Sequence, residues 1–112
     1  MVKRLGTFEL DADFVESSDF GENRRALLTL FGMCIVLRAE KNIERNTYYY
    51  LAESDMFEET DESIVPMFYR ISFIEFAGVG FRVDATPIAW GQVPKEYRND
   101  YKPTSKRLIE KS

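Results

Sequence analysis

The clearest pattern along the chain is an alternation of apolar and acidic residues over residues 7–15. Phe8, Leu10, Ala12 and Phe14 occupy alternate positions, and Glu9, Asp11 and Asp13 lie between them. A period of two residues is typical of a strand that buries one face and exposes the other. The pattern therefore predicts a half-buried strand with an acidic outer face.

The next apolar run, residues 26–37, fits two different structures. Asn23 or Asp19 would cap a helix over residues 24–31, which Gly32 would end. The same run also fits one long buried strand with a bulge at Gly32, because short apolar runs do not distinguish the two states. The sequence leaves both alternatives open.

Two pairs of strand-like segments follow, each joined by a turn. Residues 34–40 and 47–53 flank a polar connection of hairpin length, which predicts an antiparallel pair. Residues 67–76 are the most aromatic segment, and Ala77-Gly78 offers a turn into the alternating segment 79–86. Prolines interrupt the remainder, where we expect loops and one helical turn within residues 94–101.

These elements predict a mainly β fold of the α+β type. We expect a small antiparallel sheet of five or six strands, folded as a barrel or sandwich, with at most one or two short helices. A chain of 112 residues is expected to build one core. We assign residues 1–93 to a single β-rich domain and residues 94–112 to a basic C-terminal tail that packs on the domain or extends from it.

The composition bears on function through what the chain lacks. It contains no histidine and one cysteine, Cys34, which excludes Ser/His and Cys/His nucleophile pairs, His-ligated metals and intrachain disulfides. Carboxylates on loops and outward strand faces stay solvated and are poorly suited to acid–base catalysis. We therefore expect a protein that is not an enzyme, with no catalytic residues, no cofactor and no metal.

No apolar stretch resembles a membrane span or a secretory leader. The sequence thus favours a cytoplasmic protein that does not enter a membrane. The single cysteine gives no indication of an oxidising compartment.

Charge is distributed unevenly along this chain, whose formal net charge is −4. Acidic residues concentrate in two short stretches, and the second follows a predicted strand. We interpret the second stretch as a partner-binding surface, and we interpret a tryptophan between two prolines as its anchor. The residues of this surface are Glu53, Asp55, Glu58, Glu59, Asp61, Glu62 and Trp90. The main hypothesis is an acidic interaction module, of inhibitor or adaptor type, that docks on a basic surface of a protein partner.

A second hypothesis is a single-stranded nucleic-acid-binding protein. Sheet aromatics would stack on bases and basic residues of the tail would contact phosphates; the residues are Tyr49, Phe68, Arg70, Phe76, Lys102, Lys106 and Arg107. The aromatics equally fit the packing of a thin core. A third alternative is a hollow barrel that binds a small molecule in a Tyr- and Phe-lined cavity.

The segment 67–76 also bears on assembly. Phe68, Ile74 and Phe76 lie on the side opposite the Tyr69 face, so an aromatic strip is left on one face of the sheet. If the helix over residues 24–31 covers this strip, the protein can be monomeric; if that segment is a strand, a second copy is the most economical cover of the strip. We expect a homodimer.

Overall fold

The structure, a computed structural model, describes residues 3–17, 21–60, 66–78 and 80–98, apart from the side chains of Trp90 and Arg98. Its strands are β1 (Leu5–Asp11), β2 (Ile35–Asn42), β3 (Thr47–Glu53), β4 (Met67–Phe76) and β5 (Gly80–Pro87). The helices are α1 (Ala12–Glu16), α2 (Gly21–Gly32) and α3 (Lys95–Arg98), and a 3-10 turn covers Trp90–Gln92.

The strands form one open sheet in the order β2-β3-β1-β4-β5. β1 runs parallel to β4, with Gly6 opposite Met67 and Thr7 opposite Phe68, whereas the other neighbours are antiparallel. The predicted β-rich fold is confirmed. The expected barrel or sandwich is wrong, because the strands form one open sheet that is mixed: β1 lies between two hairpins and the chain makes a crossover to reach β4.

Both predicted hairpins are present. β2 pairs with β3, and a polar turn joins them in which Asn46 adopts a φ of 54°. β4 pairs with β5 through Ala77 and Gly78, whose φ of 79° is one that glycine adopts without steric cost. The turn residues of both hairpins were therefore read correctly from the sequence.

The predicted strand over residues 7–15 is too long. It ends at Asp11, whose side chain caps α1 by accepting a hydrogen bond from the Asp13 amide at 3.3 Å. Phe14 and Val15 still pack against the core, from a helix and not from a strand. Alternation thus placed Phe14 correctly on the core side, whereas Val15, at an outward position of the same alternation, packs on the core because the backbone has become helical.

Residues 24–31 are helical, within α2, so the helix alternative is the correct one. Ala26, Leu27 and Leu30 are buried, at the three- and four-residue spacing of one helical face. With α1, α3 and the 3-10 turn, the described residues hold more helical segments than the expected one or two. No described helix has both the length and the apolar character required to cross a bilayer.

Both faces of the sheet are packed, each by a different helix. The α2 face carries the larger core, where the most central residues are Phe8, Leu30, Tyr50, Phe57, Tyr69 and Val83. The α3 face carries a smaller cluster in which Tyr97 and Val93 cover Tyr49 and Phe68. A three-layer arrangement of this kind explains why three consecutive tyrosines, at positions 48–50, are all at least half-buried.

The strip of Phe68, Ile74 and Phe76 lies on the α3 face and not under α2. Tyr97 covers Phe68, whereas Phe76 remains 48% exposed. The helix therefore does not cover the strip in the way the monomer alternative required. The homodimer stays a prediction.

Candidate functional site

An open groove of about 610 Å³ lies beside the end of α2, the start of β2 and the acidic segment after β3. Carboxylates outnumber its single guanidinium three to one. The lining residues are Arg4, Gly32, Met33, Cys34, Ile35, Glu53, Ser54, Asp55 and Glu59. Three of the predicted partner-binding acids, Glu53, Asp55 and Glu59, are thus brought to one concave surface.

Ser54 holds three segments together at the floor of this groove. Its amide donates to the Arg4 carbonyl at 3.0 Å, and its hydroxyl donates to the Met33 carbonyl at 2.7 Å. The same hydroxyl accepts from the Met56 amide at 3.2 Å. Ser54 is buried, so these bonds are made away from water and define where the acidic segment begins.

Phe57 anchors the middle of the acidic segment in the core. Its ring is 1% exposed and packs against Tyr69 at 4.7 Å and Phe8 at 6.2 Å between centroids. The Tyr69 hydroxyl accepts a hydrogen bond from the Glu58 amide at 2.8 Å. Burial is the main cause that raises the pKa of Tyr69, so the phenol stays protonated at neutral pH.

Thr60 fixes the far end of the segment against β1. Its amide donates to the Lys3 carbonyl at 2.6 Å and its hydroxyl to the Leu5 carbonyl at 3.1 Å. Residues 53–60 are therefore attached at three points, and their carboxylates are presented from a fixed backbone.

The charge of the groove is only partly compensated. Arg4 donates to the Phe57 carbonyl at 3.0 Å and lies 3.5 Å from the Glu59 carboxylate. Both side chains of that ion pair are exposed, so the attraction between them is weak. Among the described residues, no side chain pairs with the carboxylates of Glu53 or Asp55. The groove is thus left with an excess of negative charge.

An apolar rim borders the acidic groove. Met33 is 43% exposed and Ile35 is 63% exposed. Cys34, between them, is half-buried and contacts the Leu30 carbonyl at 3.4 Å, and burial raises the pKa of its thiol. The carboxylates of this groove would attract a basic partner, and its apolar side chains would be removed from water when the partner binds.

The other predicted partner-binding residues are placed differently. Glu58 is exposed but does not line the groove. Asp61, Glu62 and the Trp90 side chain lie outside the described residues. Their part in a binding surface stays a prediction.

Two of the three aromatics of the nucleic-acid hypothesis, Tyr49 and Phe68, are covered. Tyr97 stacks on Tyr49 with centroids 4.1 Å apart and lies 5.8 Å from Phe68. Tyr49 and Phe68 are 3% and 5% exposed, so this conformation presents neither ring to a base. Arg70 and Phe76 are exposed on the same face, while Lys102, Lys106 and Arg107 lie outside the described residues. Nucleic-acid binding itself stays a prediction.

A polar network holds α3 in this covering position. The Glu9 carboxylate accepts hydrogen bonds from Tyr97 at 3.0 Å, from Thr47 at 2.9 Å and from Arg45 at 3.1 Å. Burial would raise the pKa of Glu9, but the three donors outweigh it and hold the pKa below its ordinary value. The network attaches the end of the described chain to β1 and β3.

The groove residues outside the acidic segment carry no signal in the sequence that marks them as part of a site. Arg4, Met33 and Ile35 reach the site from two other parts of the chain. No local motif marks such long-range contacts. The buried Ser54 resembled an ordinary loop serine, and only the three-dimensional arrangement shows its role.

Among the described residues, no group of three or more Cys, Asp or Glu side chains is arranged to hold a metal ion. No family model matches the chain, and neither the curated proteins nor the solved structures with which it was compared give a match.

Proposed function

We propose that this protein is a non-enzymatic interaction module that docks its acidic groove on a basic surface of a protein partner. The observation that carries the proposal is the placement of Glu53, Asp55 and Glu59 around one open groove by a segment anchored at Ser54, Phe57 and Thr60. Because the backbone that carries these carboxylates is already fixed, less conformational freedom is lost when a partner binds, which favours affinity.

The chemistry of the partner follows from the lining. Carboxylates without a side-chain partner attract Lys and Arg, and complementary charge accelerates encounter and selects among surfaces. The exposed Met33 and Ile35 at the rim would contact apolar side chains beside those bases. The expected partner surface is therefore basic with an apolar centre. In the inhibitor form of the proposal, that surface is one the partner uses for its own ligand; in the adaptor form, it is not.

Affinity capture with charge-matched variants tests the proposal. The groove variant is Glu53→Gln/Asp55→Asn/Glu59→Gln, and the control is Glu22→Gln/Glu44→Gln/Glu75→Gln, which removes the same charge from exposed positions outside the groove. Each would be used as bait in extract of a host cell at low and at moderate salt. Circular dichroism would establish that both variants are folded.

We expect a specific partner to be retained by the wild type and the control and lost by the groove variant, with stronger capture at low salt. Equal loss from both variants would show a response to net charge alone and would contradict the proposal. Capture of no specific protein at either ionic strength would also contradict it.

A further inference from the structure

β2 lies at an edge of the sheet and exposes apolar side chains along it. Among the described strands it pairs only with β3, and seven of its eight residues are exposed. Eight large apolar side chains are exposed among the described residues, and five of them lie within or beside β2: Met33, Ile35, Val36, Leu37 and Ile43. Scattered apolar residues on a surface are ordinary, but their concentration on a strand edge indicates a contact surface.

The charges on this edge restrict how another strand can pair with it. Arg38 and Glu40 lie opposite Leu51 and Tyr49 of β3, so both project on the α3 face, and they form an ion pair at 3.4 Å. Charged residues on an edge oppose indiscriminate pairing. They favour a strand that places an opposite charge across from each of them.

A second copy of β2 supplies such a strand in one antiparallel register. A two-fold axis at Ala39 places each Arg38 opposite the second copy's Glu40, so that two opposite-charge pairs form. An axis at Arg38 or at Glu40 would place like charges opposite each other. The sequence of the edge is therefore complementary to itself around Ala39.

We propose that two copies of this chain associate through antiparallel pairing of β2 about Ala39, joining the two sheets edge to edge. The bulge at Leu37, where the register with β3 shifts, limits regular pairing about this axis to residues 38–40 of each copy. Beyond the central pairs, the Ile35 end of each strand approaches the second copy's Ile43 end. Those two side chains are 63% and 84% exposed in the single chain, and the dimer brings apolar surface together at both ends.

Charge exchange tests the register directly. Sedimentation equilibrium over a range of concentrations would compare the wild type, R38E, E40R and an equimolar mixture of the two variants. In either variant alone, both central pairs become like-charge pairs, and we expect the dimer dissociation constant to rise about tenfold or more. In the mixture, the carboxylates of one variant face the guanidiniums of the other, so dimers return to nearly the wild-type level.

A matched control is available at the other edge. Arg82 on β5 forms an ion pair with Asp84 two residues away, at 3.2 Å, as Arg38 does with Glu40. R82E makes the same charge change and should leave the dimer unchanged. Circular dichroism would establish that each variant is folded.

The proposal is overturned if the wild type sediments as a monomer at all concentrations, as it would if another segment or another protein covered β2. It is also overturned if R82E disrupts the dimer as strongly as R38E, or if the mixture of R38E and E40R fails to associate. The groove acids are unchanged in these variants, so the outcome is independent of the proposed partner binding.

Discussion

The Phe57 ring lies directly over Gly6, so close that a Cβ at position 6 would come within 2.7 Å of the ring. Gly6 is in β1 at the point where it passes between β3 and β4, opposite Ala52 and Met67. The absence of a side chain there allows the acidic segment to insert Phe57 into the core. Packing under the segment and the position of its carboxylates are thus linked through one glycine.

Replacement of Gly6 by alanine should displace Phe57. Overpacking of a well-filled core costs about 1–3 kcal/mol, so we expect Gly6→Ala to lower the free energy of unfolding by that amount in urea denaturation. Gly80→Ala is the control, because a Cβ there meets no atom within 4 Å. Equal stability of the two variants would contradict the packing described for Phe57.

Glu9→Gln should remove a pH-dependent part of the stability. The pKa of Glu9 in the folded chain lies below its ordinary value of 4.5, so the ionised carboxylate stabilises the fold above that pH. This stabilisation is lost as the pH falls through the folded pKa. We expect the variant to be less stable than the wild type by about 1–2 kcal/mol at pH 7, and the difference to shrink at pH 3.

Urea denaturation of both proteins at the two pH values would measure this. Glu44→Gln, at the exposed β2–β3 turn, controls for the loss of one negative charge. A Glu9→Gln deficit that is the same at pH 3 and pH 7 would show that its ionisation is not the stabilising factor.

The ring and the hydroxyl of Tyr97 should contribute separately to the attachment of α3. Tyr97→Phe keeps the stack on Tyr49 and loses the hydrogen bond to Glu9, at a cost of about 1 kcal/mol. Tyr97→Ala loses both, at a cost of about 3 kcal/mol. Only the alanine variant should expose Tyr49 and Phe68, and it should therefore bind a hydrophobic dye more strongly than the other two proteins. Similar dye binding by all three would argue against α3 as the cover of these rings.

Tyr97→Ala also tests the nucleic-acid hypothesis, because this variant makes the Tyr49 and Phe68 rings accessible to bases. If the Tyr49 and Phe68 rings stack on bases once uncovered, a labelled single-stranded oligonucleotide at low salt should bind Tyr97→Ala more tightly than the wild type, by fluorescence anisotropy. Absence of binding by either protein would count against nucleic acid as a ligand of this face.

Ser54→Ala should loosen the groove without unfolding the chain. The variant loses the hydroxyl that bonds to Met33 and Met56, which we expect to cost about 1–2 kcal/mol. Cys34 follows Met33 and is the only thiol in the chain, so its rate of reaction with a thiol reagent reports the change. We expect faster modification in Ser54→Ala. Ser17→Ala, at an exposed position after α1, should react at the wild-type rate.

Local pattern predicted most of the elements because most of them bury a regular set of side chains. The bounds of β4 and the pairing of β2 with β3 follow from composition and from the turns between strands. The predicted strand over residues 7–15 extends too far because Asp11 caps a helix there. A single capping residue is a weaker signal in the sequence than an alternation that continues past it. The barrel was inferred from strand count, which does not determine strand order.

The candidate site was predicted in part. The clustering of acids along the sequence pointed to Glu53, Asp55 and Glu59. Nothing in the sequence showed that the Phe57 side chain is buried in the core, or that Met33 and Arg4 line the groove beside these acids. Conversely, the nucleic-acid hypothesis required Tyr49 and Phe68 on an open surface, and Tyr97 covers them from a segment that resembled a tail. Contacts between distant parts of the chain depend on topology, which periodicity does not encode.

The parallel contact of β1 with β4 has a kinetic consequence. Among the described residues, only two pairs lie opposite each other across this contact, whereas each hairpin has at least seven such pairs. The molecule thus consists of two locally formed hairpins joined along a narrow seam between β1 and β4. We expect each hairpin to form early and the joining of the two to limit the folding rate, because closing this long-range contact carries the greater loss of chain entropy. Amides that bond across β1 and β4 should accordingly gain protection from hydrogen exchange later in refolding than amides that bond within either hairpin.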